Sequence, residues 1–196
     1  MAVSVTQRRA RDTRTTLLEA ARDVFSEVGY TEANVADVVA RAGSSVGSMY
    51  HHFGGKADLY LALYDEHQSR QEARADAAVR QARASGEQDA LVLFIAGSRA
   101  FLRGCWEERD LARLFLEGDG PPGFDQVSRQ RFREWVKRAG GLLRGAESHL
   151  LGEPFTLVLT TVIAAAGREV AQQPDEQAAT SYADDVLILL SRLGRS

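Results

Sequence analysis

The chain has 196 residues, of which 44 % are hydrophobic and 26 % are charged, with a formal net charge of -3 at pH 7. This composition is ordinary for a soluble globular protein with a substantial core, and it argues against a protein that coats nucleic acid indiscriminately. The single cysteine, Cys105, excludes an internal disulfide and any zinc site built on several thiolates, and its apolar neighbours indicate a small core residue. No segment reaches the roughly 18 consecutive apolar residues of a membrane helix, and the N-terminal sequence lacks the apolar stretch of a signal peptide. We therefore expect a cytoplasmic protein with no membrane partner.

The spacing of apolar residues and the stop signals predict four helices in the N-terminal part of the chain, at about 14–28, 35–42, 46–52 and 56–84. Gly29 follows the first helix as a residue that tolerates positive φ. Asn34 precedes the second helix and has an acid, Asp37, three positions later, which resembles a capping box. The first fourteen residues hold four arginines against one aspartate. This basic arm suits contact with phosphate, although a solvated tail explains it equally well.

The remainder of the chain predicts five further helices, separated by glycine and proline turns, at about 88–106, 109–116, 126–150, 155–172 and 176–193. No run alternates apolar and polar residues with the bias of a strand. The predicted fold class is therefore all-α.

Two short helices joined by a tight glycine turn are typical of a helix-turn-helix. Its second helix must fit the major groove of DNA and present side chains to the base edges. Small residues at Ser45, Gly47 and Ser48 allow the backbone to approach the duplex closely. Polar and aromatic residues follow at Tyr50 and His51.

Residues 17–64 closely resemble the N-terminal domain of the TetR family of regulators, over the segments LLEAARDVFSEVGY and VADVVARAGSSVGSMYHHFGGKADLYLAL. The resemblance implies an arm and helix-turn-helix domain at 1–55 and a helical ligand-binding and dimerisation domain at 56–196. It further implies a regulator that binds double-stranded operator DNA, more often as a repressor than as an activator. No catalytic residue, metal or cofactor is expected.

Carried over position by position, the resemblance implies a DNA-contacting set: Asn34, Ser45, Val46, Gly47, Ser48, Tyr50, His51 and Lys56. Lys56 begins the fourth helix, where its ammonium and the free N–H groups of the helix can both meet a phosphate. Val46 can contact a thymine methyl but donates no hydrogen bond, so we expect little hydrogen-bonded readout of the bases at this position. Packing of Tyr50 beneath the helix and simple solvation of Lys56 are the alternatives.

The last two helices carry more apolar residues than one buried face requires, at 155–166 and at 186–193. The resemblance implies that they form a four-helix bundle with their twins in a homodimer. The alternative is the core of a larger monomer.

Aromatic residues concentrate in the middle of the chain and are candidates for the lining of an apolar ligand pocket: Phe94, Phe101, Trp106, Phe115, Phe124 and Trp135. Arg99, Arg103, Glu117 and His149 are candidate polar anchors for an unidentified small-molecule effector. Core packing without a cavity explains the same aromatic pattern.

Overall fold

The structure is a computed structural model that describes residues 5–116, 119–143 and 152–193, with side chains described from residue 11 onward. Throughout these ranges the regular structure is helical, which confirms the predicted all-α class. The helices of the described ranges are α1 (Val5–Glu32), α2 (Val35–Arg41), α3 (Val46–His52), α4 (Lys56–Ala84), α5 (Ala90–Glu107), α6 (Arg109–Leu116), α7 (Phe124–Leu143), α8 (Glu153–Gln172) and α9 (Glu176–Leu193).

Most helix bounds agree with the sequence pattern to within a few residues, but two differ. Helix α1 begins at Val5 rather than at residue 14, because the polar segment before residue 14 is rich in good helix formers and needs no buried face to be helical. Helix α7 is described only to Leu143, and the predicted continuation to residue 150 lies outside the described residues.

Two compact units make up the chain. Unit 1 comprises Met1–His67 with Leu114–Phe124, and unit 2 comprises Gln68–Arg113 with Asp125–Ser196. Helix α4 therefore contributes its first three turns to unit 1 and the rest to unit 2. The predicted domain boundary lies between residues 55 and 56, whereas the two compact units divide α4 after His67. The predicted boundary between the DNA-binding and ligand-binding functions stays a prediction.

The core of unit 1 forms on the apolar stripe of α1 and on the first turns of α4. Phe25 and Tyr60 are almost completely buried there. The ring centroid of Tyr60 lies 5.4 Å from that of Phe25, 5.3 Å from that of Phe115 and 5.2 Å from that of Phe124, with the rings edge-on in each pair. Such aromatic contacts add to the free energy of burial and fix ring geometry. They pack the segment Leu114–Phe124 into the core of the N-terminal unit.

The core of unit 2 is formed mainly by α5, α8 and α9. Leu102, Leu159, Ile163 and Leu187 are completely or almost completely buried in it. Cys105 is buried in the same core, which confirms the interpretation from sequence, and burial raises the pKa of its thiol to about 12. Helix α8 is long and apolar enough to span a membrane by length and composition alone, a weak signal that core helices of soluble proteins also give.

In unit 1 the kinked end of α1, from Gly29 to Glu32, forms the turn that leads to α2. This turn is bound by a carboxylate that lies 88 positions after Thr31 in the chain. Gly29 adopts φ 77° and ψ 173° and interrupts α1, as its helix-ending position predicted. The carboxylate of Asp119 accepts hydrogen bonds from the N–H of Thr31 at 3.0 Å and from its hydroxyl at 2.8 Å. A side chain at position 29 would overlap this carboxylate. Glycine is therefore required twice here, for its backbone conformation and for the space above it.

Two opposing effects act on the pKa of Asp119. Partial burial raises it, but the hydrogen bonds from Thr31 and Tyr30 and the charge of Lys56 together lower it below its usual range. A carboxyl group whose pKa is lower in the folded state stabilises the fold above its unfolded-state pKa, near pH 4. This contribution is lost as the pH falls through the folded-state pKa.

Replacing Asp119 with alanine should therefore lower the free energy of unfolding at pH 7, by less than about 1 kcal/mol because solvent screens the carboxylate. The difference from the wild type should shrink as the pH falls below about 4 and vanish below the folded-state pKa, where the carboxyl group is protonated in both states. Urea denaturation at a series of pH values measures this, with Asp185→Ala on an exposed position of α9 as the control. A difference that does not change with pH would show that the charge of Asp119 plays no part.

Candidate nucleic-acid interface

The two short helices of unit 1 begin at side-chain caps. Asn34 accepts a hydrogen bond from the N–H of Asp37 at 2.9 Å, and Ser45 accepts one from the N–H of Ser48 at 3.1 Å. Both caps have extended backbone conformations, as N-cap residues require. The capping predicted for Asn34 is confirmed. The carboxylate of Asp37 returns to the side-chain amide of Asn34 instead of to its backbone N–H.

Helix α3 is anchored on one side and exposed on the other. Met49 is completely buried and fixes the helix on the core of unit 1. On the other side Val46 is 47 % exposed and Tyr50 is 54 % exposed, and His51 is exposed beside them. Open space surrounds the position of a side chain at Gly47, so the backbone there is accessible. The face of α3 that carries these side chains is therefore free of contact with the core of unit 1.

Lys56 contacts the end of α1 and not only solvent. Its Nζ donates hydrogen bonds to the backbone carbonyls of Tyr30 at 2.7 Å, Ala33 at 2.8 Å and Thr31 at 3.2 Å. The ammonium also lies 4.4 Å from the centroid of the Tyr30 ring. An ammonium has three N–H donors, so these three carbonyls occupy all of them. A phosphate contact by this side chain, as the resemblance implies, would have to share or replace one of these bonds.

Two further cations of unit 1 are ion-paired. Arg41 makes a two-pronged contact with Glu27 at 2.6 and 2.9 Å. Arg14 donates to Glu66 at 2.7 Å and lies over the ring of Phe53. Of the basic arm, Arg11 is exposed, and the side chains of the arginines before it lie outside the described residues.

The structure brings the predicted DNA-contacting residues together around α2, α3 and the start of α4. Sequence reasoning missed Asp119, the partner of the turn that precedes α2. The glycine- and proline-rich sequence around Asp119 signals a turn, and nothing local to it indicates that the turn contacts Thr31.

The six aromatic residues proposed for a ligand pocket divide between the units. Phe115 and Phe124 pack around Tyr60 and Tyr64 in unit 1. The other four lie in the core of unit 2 or against it, namely Phe94, Phe101, Trp106 and Trp135. Their role in ligand binding stays a prediction.

Of the four candidate polar anchors, the structure describes two. Arg99 is ion-paired with Asp184 and Arg103 with Glu107. Glu117 and His149 lie outside the described residues.

Comparison with known proteins identifies the N-terminal segment independently. Residues 17–63 match the family model described as bacterial regulatory proteins, tetR family. The HTH-type transcriptional repressor AcnR of Corynebacterium glutamicum is 42 % identical over 59 residues, which are 30 % of this chain and 31 % of AcnR. The chain thus matches about a third of the length of its curated relatives.

Solved structures resemble the chain over most of its length. FadR of Bacillus subtilis in complex with stearoyl-CoA superimposes with a TM-score of 0.73 at 18 % identity, covering 90 % of this chain and 96 % of FadR. The SmeT–triclosan complex superimposes with a TM-score of 0.76 at 17 % identity, covering 92 % of this chain and 90 % of SmeT. At these identities the likeness concerns the fold alone. The N-terminal segment of residues 17–63 is therefore similar to the tetR family of bacterial regulatory proteins, and the chain as a whole shares the fold of the two solved structures.

Proposed function

We propose that the protein is a sequence-specific, DNA-binding transcriptional regulator that acts in the cytoplasm by binding and not by catalysis. The observation that carries the proposal is helix α3, which is capped by Ser45, anchored by Met49 and exposed at Val46, Tyr50 and His51. This geometry suits insertion of α3 into the major groove, with its first turn against the bases. The family match covers the same part of the chain.

Repression that a small molecule relieves is the mode of regulation we propose. AcnR is named as a repressor, and two structural neighbours hold stearoyl-CoA, which carries a long acyl chain, and triclosan, which is largely apolar. In this chain the apolar core of unit 2 is the proposed place for such an effector. Helix α4 runs from unit 2 into unit 1 and is the proposed route of the signal. Release from DNA requires that the effector bind the DNA-incompetent state more tightly, typically by ~1–3 kcal/mol.

A homodimer through α8 and α9 completes the proposal. Each of these helices exposes several large apolar side chains: Leu157, Val158, Val162, Ile188, Leu189 and Leu193. Contiguous exposed apolar surface on a soluble protein marks an interaction site. To read a palindromic operator, the two copies of α3 in such a dimer must lie about 34 Å apart, which is one turn of the duplex.

Binding to DNA tests the proposal directly. Fluorescence anisotropy on the DNA upstream of the protein's own coding sequence, with excess unrelated DNA as competitor, should show competitor-resistant binding by two protomers or a multiple of two. Binding no tighter than to random sequences, both there and in a selection from a random duplex library, would contradict the proposal.

Two substitutions on α3 separate its proposed roles. Val46→Ala should lower affinity for the operator by up to about tenfold and leave random DNA unaffected, because it removes apolar contact with a base. His51→Ala should lower affinity for both kinds of DNA alike, because a phosphate contact carries no sequence information. Each variant serves as the control for the other in the same anisotropy titrations. An equal loss for the two kinds of DNA in Val46→Ala would remove that residue from base readout.

The carbonyl contacts of Lys56 predict that Lys56→Met lowers the free energy of unfolding by about 1–2 kcal/mol, since three acceptors lose a charged donor. Lys137→Met, at an exposed position of α7, is the control in urea denaturation. Unchanged stability would refute the role at the carbonyls.

The salt dependence of DNA binding then tests the phosphate contact. If it exists, the slope falls by about one per subunit in Lys56→Met, and an unchanged slope removes Lys56 from the DNA-contacting set.

The proposed dimer predicts that Leu189→Lys yields monomers, because Leu189 is 59 % exposed on the apolar face and a buried unpaired ammonium is strongly unfavourable. Thr180→Lys adds the same charge on the opposite side of α9 and should remain dimeric. Sedimentation velocity at several concentrations distinguishes the two states. A dimeric Leu189→Lys protein would exclude this face as the interface.

A further inference from the structure

The side chain of Gln71 in unit 2 is buried with its amide unpaired. Gln71 lies on α4 and is 2 % exposed. Among the residues that the structure describes, neither its Nε2 nor its Oε1 finds a hydrogen-bond partner. Buried amides in folded proteins almost always have partners, because removing these groups from water without replacing their hydrogen bonds is costly. An orphaned amide in the core of a proposed sensor domain therefore requires an explanation.

The residues around Gln71 pack against its amide but form no hydrogen bond with it. Gly104 of α5 faces the amide, and a Cβ at position 104 would overlap it. One turn further, Glu108 accepts hydrogen bonds from Arg70 at 2.7 Å and from Arg74 at 3.2 Å. Arg74 also pairs with Glu107. Glu107 pairs with Arg103 as well, whose side chain is 75 % exposed, so the third positive charge of this cluster lies toward solvent.

An aromatic wall lies one turn before Gly104 on α5. Phe101 stacks on Trp135 of α7, with ring centroids 5.2 Å apart and ring planes inclined by 30°. Next to Gly104, Cys105 is buried. A side chain at Gly167 of α8 would meet both Cys105 and Phe101, so α8 approaches this wall closely. The surroundings of the amide are therefore apolar and aromatic on one side, and ion pairs lie on the other.

We propose that Gln71 is the polar anchor of a ligand site in unit 2 that accepts a neutral group with a hydrogen-bond donor and an acceptor side by side on a flat apolar body. A carboxamide or a lactam has this form. Its carbonyl oxygen accepts from Nε2 of Gln71, and its N–H donates to Oε1. The apolar body lies along α5 toward Phe101 and Trp135. A carboxylate fits less well, because it offers no donor to Oε1. That the ligand is also the effector rests on the proposed function.

Two nearly isosteric probes test the anchor in the full-length protein. Naphthalene-2-carboxamide carries the proposed group, and 2-acetylnaphthalene replaces its NH2 with a methyl group. In isothermal titration calorimetry the wild type should bind the carboxamide about tenfold more tightly than the ketone. The ketone has no N–H to donate, so it leaves Oε1 of Gln71 buried without a hydrogen bond. Gln71→Leu should abolish this preference, and Gln81→Leu, at an exposed position of α4, should retain it. Equal binding of the two probes by the wild type, a preference that survives in Gln71→Leu, or no binding of the carboxamide would overturn the proposal.

Thermal unfolding without a probe tests the orphaned amide itself. Replacing an unpaired buried amide with an apolar group of similar shape is neutral or stabilising. Gln71→Leu should therefore unfold at or above the midpoint temperature of the wild type. A clearly lower midpoint would show that a buried water or a protein group already satisfies the amide, and this would overturn the proposal.

Operator binding by the same proteins without a probe separates this proposal from the proposed function. Failure of the wild type to bind any operator refutes the regulator, while the probe preference still decides the anchor. Normal operator binding with no probe preference refutes the anchor alone.

Discussion

The arrangement of the N-terminal unit depends on a short turn before α2. A cation binds the backbone carbonyls of this turn, and an anion binds one of its backbone N–H groups. The ammonium of Lys56 binds three carbonyls at the end of α1, and the carboxylate of Asp119 binds the N–H and the hydroxyl of Thr31. The end of a helix carries partial negative charge and unsatisfied carbonyls, so a cation is the natural partner there. The turn leads directly into Asn34, the cap of α2, and thereby sets where the helix-turn-helix begins.

The same interactions explain why a segment between α6 and α7 belongs to the N-terminal unit. Tyr60 donates a hydrogen bond to the backbone carbonyl of Asp119 at 2.9 Å, and burial raises the pKa of its hydroxyl. Its ring packs edge-on against Phe115 and Phe124 at the two ends of the segment. Segment 114–124 is thus fixed at its ends by aromatic packing and in its middle by Asp119. A change in the conformation of this segment would act directly on the turn before α2.

The sequence predicted the features that depend on neighbouring residues. The cap at Asn34 involves a residue three positions later, and the positive φ of Gly29 follows from a local stop signal. Features that depend on tertiary packing were not predictable. The acceptors of Lys56 lie 23 to 26 positions earlier, and Thr31 lies 88 positions from Asp119. Gln71 stands in a strongly polar stretch of α4 that periodicity assigns to solvent, and only the close approach of Gly104 buries it.

Three cationic side chains of unit 1 already have acceptors in the protein, and this affects how they could bind DNA. Arg14, Arg41 and Lys56 each have an acceptor within the unit, so a phosphate that recruits one of them must compete with a contact already formed. The ion pairs of the two arginines are exposed and therefore cheap to exchange, whereas the ammonium of Lys56 is shared among three carbonyls. Neutral donors on α3 and the backbone at Gly47 would then carry a larger share of the contacts. Because neutral contacts displace few counterions, affinity would come from pairing two such units on one duplex more than from the charge of each.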